Sequence, residues 1–162
     1  MKRFVCAAAV AALGLAAAPA LGQSVDDNSF IQKAVGIDTA EIHMGHMLEQ
    51  KGGSAQVRRY GAVLVQDHTT SRRQAEAIAH AMKVTAPEEA PPDVAQQMSQ
   101  LQGLSGAAFD RQAKQDAVQD HQQAIAMFEQ EAHDGHAQAA QHARQTLPVL
   151  RKHLRMAQAL NG

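Results

Sequence analysis

Four breaks divide this chain, and nearly everything between them has the periodicity of a helix. "KGGS" (51–54), "VTAPEEAPPD" (84–93), "GLSG" (103–106) and "HDGH" (133–136) collect the Gly, Pro and small polar residues that end helices. Between the breaks, β-branched residues are scattered and never alternate over a useful length, whereas apolar residues recur at helical spacing. A first helix is expected over Asp27–Gln50, capped by Asp26, Asp27 or Asn28. Ser54 caps a second that reaches Met82 or Lys83, and Pro87, Pro91 and Pro92 then stop the chain. A short piece from Asp93 to Gln102 follows, then a long helix over Ala107–Ala132 and another ending near Leu160. Pro148, inside the last, is expected to kink or loosen it. Two tight turns and one connection of roughly two dozen residues imply an all-α chain with one crossover: a ferritin-like four-helix bundle, the crossover carrying the short helix. An up-down-up-down bundle with a decorated loop is the alternative.

The N-terminus belongs to another category. Met1-Lys2-Arg3 precedes an apolar run from Phe4 to Ala18, and Ala20 and Gly22 offer small residues for cleavage before Gln23. Residues 1–22 are therefore expected to be a cleaved signal peptide, too short to stay as a membrane span, with 23–162 a single domain. The one cysteine, Cys6, leaves with the signal, so neither a disulfide nor a thiolate ligand is expected in a periplasmic product. Any outer-membrane association would then be peripheral. Without Lys2 and Arg3 the charge balance is 13 basic against 16 acidic residues. With only 3% aromatics and no basic patch, nucleic acid is not an expected partner.

"VQDH" occurs twice, at 65–68 and 118–121. At about 100° per residue, His68 shares a stripe with Val57, Gly61, Leu64, Ala75 and Ala79. His121 shares one with Ala117, Ile125 and Phe128, and His153 with Val149, Ala157 and Leu160. On the first helix Glu41 interrupts a stripe of Phe30, Ala34, Ile37, Gly45 and Leu48. Depth measured from the turns agrees. Glu41 and His68 lie 11 and 15 residues from Gly52-Gly53, and His121 and His153 lie 14 and 18 from Gly135. Parallel second and third helices would put all four at one level. Imidazoles and a carboxylate converging in an apolar seam suit one transition metal ion, Zn or Cu. The competing reading is a buried polar layer that only fixes helix register in a structural or interaction module.

Asp67 and Asp120 stand about 100° off the seam. The plainer reading is a flanking carboxylate, and the sharper one a group that orients a ligand on a neighbouring helix. Asp110 shares the seam of His121 and reads as a partner for Lys114 or Arg111, or as a feature of the helix start. His43 and His46 fall on the outer face, and His80 and His142 suggest no partner. No Glu is followed by His three residues later, which disfavours a di-iron carboxylate centre. Phosphate loops and nucleophile elbows are also missing, so nothing demands catalysis.

Taken together, "EIHMGHMLEQKGGSAQVRRYGAVLVQDHTTS", "LQGLSGAAFDRQ", "VQDHQQAIAMFEQEA" and "TLPVLRKHLRMAQAL" resemble the exported bacterial proteins grouped as domain of unknown function 4142. The resemblance covers about Ser29 to Leu160. It implies a ferritin-like helical fold, an exported location and the usual presence of Glu41, His68, Asp110, His121 and His153. It implies no activity; a binding or storage role in metal or envelope-stress handling is the reading that the histidine layer itself suggests. His43 and His46 depart from the family pattern, as does Gln112, where Tyr is common.

Overall fold

The computed structural model describes residues 23–161; the expected signal peptide, 1–22, lies outside the described residues. The chain is all-α. Five helices follow in order, α1 (Gln23–Lys51), α2 (Ala55–Met82), α3 (Pro92–Gln102), α4 (Gly106–Asp134) and α5 (Ala137–Gln158), with no strand among the described residues. No helix among the described residues is long and apolar enough to cross a membrane.

Local chemistry accounts for the boundaries. Ser54 sits in extended backbone, and its hydroxyl accepts from the Val57 N–H at 3.1 Å, satisfying one orphan donor of α2. At the other end Lys83 turns left-handed (φ 59°), and the Val84 N–H reaches back to the Ala79 carbonyl at 2.9 Å. That is a Schellman closure, with the partly buried Val84 packed on the core. Pro148 does not interrupt α5, which is helical from Ala137 through Gln158. The ring stands on the exposed side of the helix, where losing one backbone donor costs least.

α1 and α2 form one antiparallel hairpin and α4 and α5 another. The first is drawn tight where Gly45 meets Gly61. A Cβ on Gly61 would fall 2.5 Å from the Gly45 carbonyl oxygen and 2.8 Å from Leu48 Cβ. Backbone rather than a flexible side chain stands in the way, so Gly61→Ala should force the helices apart. The expected loss is about 1–3 kcal/mol, read as a lower urea midpoint at unchanged slope. An unchanged midpoint would mean that the contact is not required.

Asp110 ties the two hairpins together. From α4 its carboxylate accepts the Gly53 N–H at 2.8 Å and the Ser54 N–H at 2.9 Å, capping α2 from a different helix. Neither Lys114 nor Arg111 is its partner as anticipated; Lys114 donates instead to the Leu160 carbonyl at 2.7 Å. α4 therefore starts beside the α1–α2 turn. It ends at the opposite end of the molecule, where the Asp27 carboxylate accepts the His136 N–H at 3.3 Å. α2 and α4 consequently run in the same direction. The segment between them returns along α1: Gln32 donates to the Thr85 carbonyl near one end, and Lys51 donates to the Gln102 carbonyl near the other.

Between these ends the apolar core falls into two pieces. One gathers Phe30, Ile31, Ala79, Phe128, Ala143 and Leu150, and the other Leu48, Val57, Tyr60, Leu64, Leu101 and Phe109. In the middle lie Asp38, Glu41, His68, His121 and His153, all buried.

Candidate metal centre

Three helices each place one histidine in that middle layer. His68 comes from α2, His121 from α4 and His153 from α5, with exposures of 2%, 1% and 0%. Their ring centroids are 6.0 Å (His68–His121), 5.1 Å (His68–His153) and 5.4 Å (His121–His153) apart. One ring nitrogen from each can be chosen so that all three lie within 4.8 Å of one another.

The hydrogen bonds indicate which nitrogens are available. His68 Nδ1 faces Asp38 Oδ1 at 2.8 Å, His121 Nδ1 faces the Ala117 carbonyl at 2.9 Å, and His153 Nε2 faces Asp67 Oδ2 at 2.9 Å. A carbonyl only accepts, and an ionised carboxylate only accepts, so in each pair the imidazole donates its N–H. That assigns the tautomers by partner. The remaining nitrogens, His68 Nε2, His121 Nε2 and His153 Nδ1, are buried and have no hydrogen-bond partner among the described residues. In neutral rings these are lone pairs. Metal-ligating imidazoles commonly have this arrangement, the outer N–H held by a carboxylate or carbonyl and the inner nitrogen left bare for the ion.

The titration tendencies divide the trio. Burial, with neighbouring His68 next, drives His153 down to about 3. Burial also lowers His121. His68 moves the other way: burial opposes its charge, but the hydrogen bond it donates to Asp38, with the charges of Glu41, Asp38 and Asp67, outweighs it and raises the pKa. Asp67 is held below the usual carboxylate range. Its partial burial works against this, and hydrogen bonds from Lys152 (2.8 Å) and His153 prevail.

The anticipated residues therefore separate into distinct places. His68, His121 and His153 come together. Glu41 does not join them: its Oε1 lies 3.7 Å from His121 Nδ1, the outer nitrogen, so it stands behind the ring. Asp67 lies against α5, where its Oδ2 accepts from His153 Nε2 at 2.9 Å and from Lys152 at 2.8 Å. Asp120 accepts from Gln97 at 2.9 Å and docks α3 onto α4. Asp110 is at the α1–α2 turn, away from the layer. His43 and His46 are exposed, and His46 meets Glu49 at 3.2 Å. His142, without an evident partner in the sequence, is buried beside Phe128 with centroids 6.1 Å apart.

Asp38 was missed, and the signal for it was present. It shares a stripe with Ile31 and Ala34, seven and four residues earlier. It also lies 14 residues before Gly52, against 15 from Gly53 to His68. Equal depth on a hairpin selects Asp38 better than it selects Glu41.

Comparison with known proteins agrees with the fold and leaves the chemistry open. The profile of the family described as "Domain of unknown function (DUF4142)" matches residues 11–160. Among solved structures, a DUF305 fragment from Deinococcus radiodurans is similar, with a TM-score of 0.74 at 18% identity. The similarity covers 84% of this chain and 95% of that one, and at such identity it speaks for the fold alone. No curated protein matches.

Proposed function

Because this chain belongs to the DUF4142 family, whose description assigns no activity, we propose from its own geometry that it binds one transition metal ion, Zn or Cu. The ligands are His68 Nε2, His121 Nε2 and His153 Nδ1. The observation that carries the reading is the pairing of three bare inner nitrogens with three outward hydrogen bonds. The span also suits it. A triangle of edge 4.8 Å has its centre about 2.8 Å from each corner. Closing to a Zn–N bond of about 2.0–2.1 Å asks less than ~1 Å of each ring. Asp38 and Asp67 orient two of the ligands, and Glu41 adds negative charge behind the third. We read the scaffold as a ferritin-like four-helix bundle with one crossover, a single domain over 23–162. Residues 1–22 are read as a signal peptide delivering it to the periplasm, with any outer-membrane association peripheral. The role is metal or envelope-stress handling.

One observation favours a second reading. The raised pKa of His68 favours an imidazolium paired with Asp38, and its inner nitrogen would then carry a proton instead of a lone pair. The layer would be a register device without metal.

Metal content separates the two. The untagged protein purified from the periplasm should carry close to one Zn or Cu per chain, and a His68→Ala/His121→Ala variant none. His121→Leu provides the converse. If the native protein holds no metal and takes none up, while His121→Leu is as stable as the parent or more so, the layer is structural.

A further inference from the structure

A second candidate site lies on the other side of Glu41. α1, α4 and the start of α3 line a partly open cavity of about 230 Å³. Its walls are mostly apolar, drawn from Ile37, Ala40, Met44, Val94, Ala124 and Met127. Two carboxylates line it, Glu41 and Asp120, and its lining has no basic side chain. Asp120 is engaged by Gln97. Glu41 is different. Its side chain is 10% exposed, and its oxygens are not among the buried atoms cut off from solvent and partners alike. The nearest ring nitrogen, His121 Nδ1, is 3.7 Å away and already donates to the Ala117 carbonyl.

The Glu41 oxygens open onto the cavity, so a cationic head group there meets a carboxylate to which no side chain among the described residues donates. We propose that this cavity binds a small organic ammonium, its cationic head on Glu41 and its apolar body between α1, α3 and α4. Size favours this class, since an apolar cavity of roughly 150 Å³ holds a benzene ring. The cavity therefore accommodates one ring bearing a short amine arm. A second metal ion fits less well, because no group of three His, Cys, Asp or Glu residues other than the histidine trio converges among the described residues. Nor does an anion suit a pocket whose only charges are carboxylates. Asp120 adds a second negative charge to the field at the head group, while the methionine and aliphatic walls exclude a hydrated ion and reward an apolar body.

The proposal does not depend on the histidine site holding metal, so the experiment uses protein stripped with EDTA. Benzylamine and benzyl alcohol, nearly equal in shape and different in charge, are titrated while amide NMR shifts are followed. Benzylamine should saturate, with its shifts centred on residues 37–44 and 117–127. Benzyl alcohol should bind about tenfold more weakly, the scale of one charged hydrogen bond. Glu41→Gln should bring benzylamine to the affinity of the alcohol. Ala124→Leu, which narrows the cavity without altering charge, should weaken both ligands. Absence of saturation by benzylamine overturns the proposal. Equal binding of the two probes, full affinity in Glu41→Gln or full affinity in Ala124→Leu does so as well.

Discussion

Zinc added to the metal-free protein raises its melting temperature by roughly 5–10 °C once free metal reaches about a hundred times Kd, and EDTA reverses the gain. The size follows from mass action: binding the native state alone at that ratio adds about 2.7 kcal/mol. A domain of this length gains roughly 2–4 °C per kcal/mol. The gain should vanish in His68→Ala/His121→Ala, which leaves one of the three converging nitrogens. It should persist in His43→Ala/His46→Ala, because those side chains are exposed on the outer face of α1. Differential scanning calorimetry on the three proteins decides the matter. Equal shifts in the parent and in the His68/His121 variant would place the metal elsewhere, and no shift in either would leave the layer without one.

Acid is expected to unfold the metal-free protein well before most carboxylates are protonated. His153 has a folded pKa of about 3 against an ordinary 6.5. Below 6.5 the unfolded chain takes up a proton that the folded chain refuses, so stability falls as pH falls. The slope is about 1.4 kcal/mol per pH unit for each such group. His121, lowered mainly by burial, acts in the same sense. His68, with its raised pKa, acts oppositely. Its contribution is fully present below 6.5 and is lost as pH rises through its folded value. Stability should therefore peak near neutrality and decline between pH 6.5 and 5. Urea midpoints across that window, measured in EDTA, test this, and His153→Gln should flatten the acid side. A midpoint that holds steady from pH 6.5 to 5 in the parent would show that His121 and His153 accept protons in the folded state.

The helices and the histidine layer were legible because they rest on periodicity and on breaks. Gly52-Gly53 and the proline run end helices wherever they stand, and the seam positions of His68, His121 and His153 follow from the helical repeat alone. The partners of those histidines were harder to read. Whether Asp38 or Glu41 meets His68 depends on about one turn of offset between α1 and α2, and that offset is set by the Gly45–Gly61 contact, which composition does not reveal. Asp67 and Asp120 occupy the same place in two identical tetrapeptides and differ in fate because α5 packs beside one and α3 beside the other. Asp110 could not be assigned either. Its acceptors point at backbone N–H groups 56 and 57 residues away, and backbone donors carry no sequence signature.

The divided core has a consequence for how the molecule opens. Its two apolar clusters draw on separate sets of residues, and the layer between them is held by hydrogen bonds and charge. Each end can thus behave as its own cooperative unit, fraying and re-forming without dragging the other with it. An ion gripped by α2, α4 and α5 would act as a rivet at the midpoint, making amide protection at one end depend on integrity at the other.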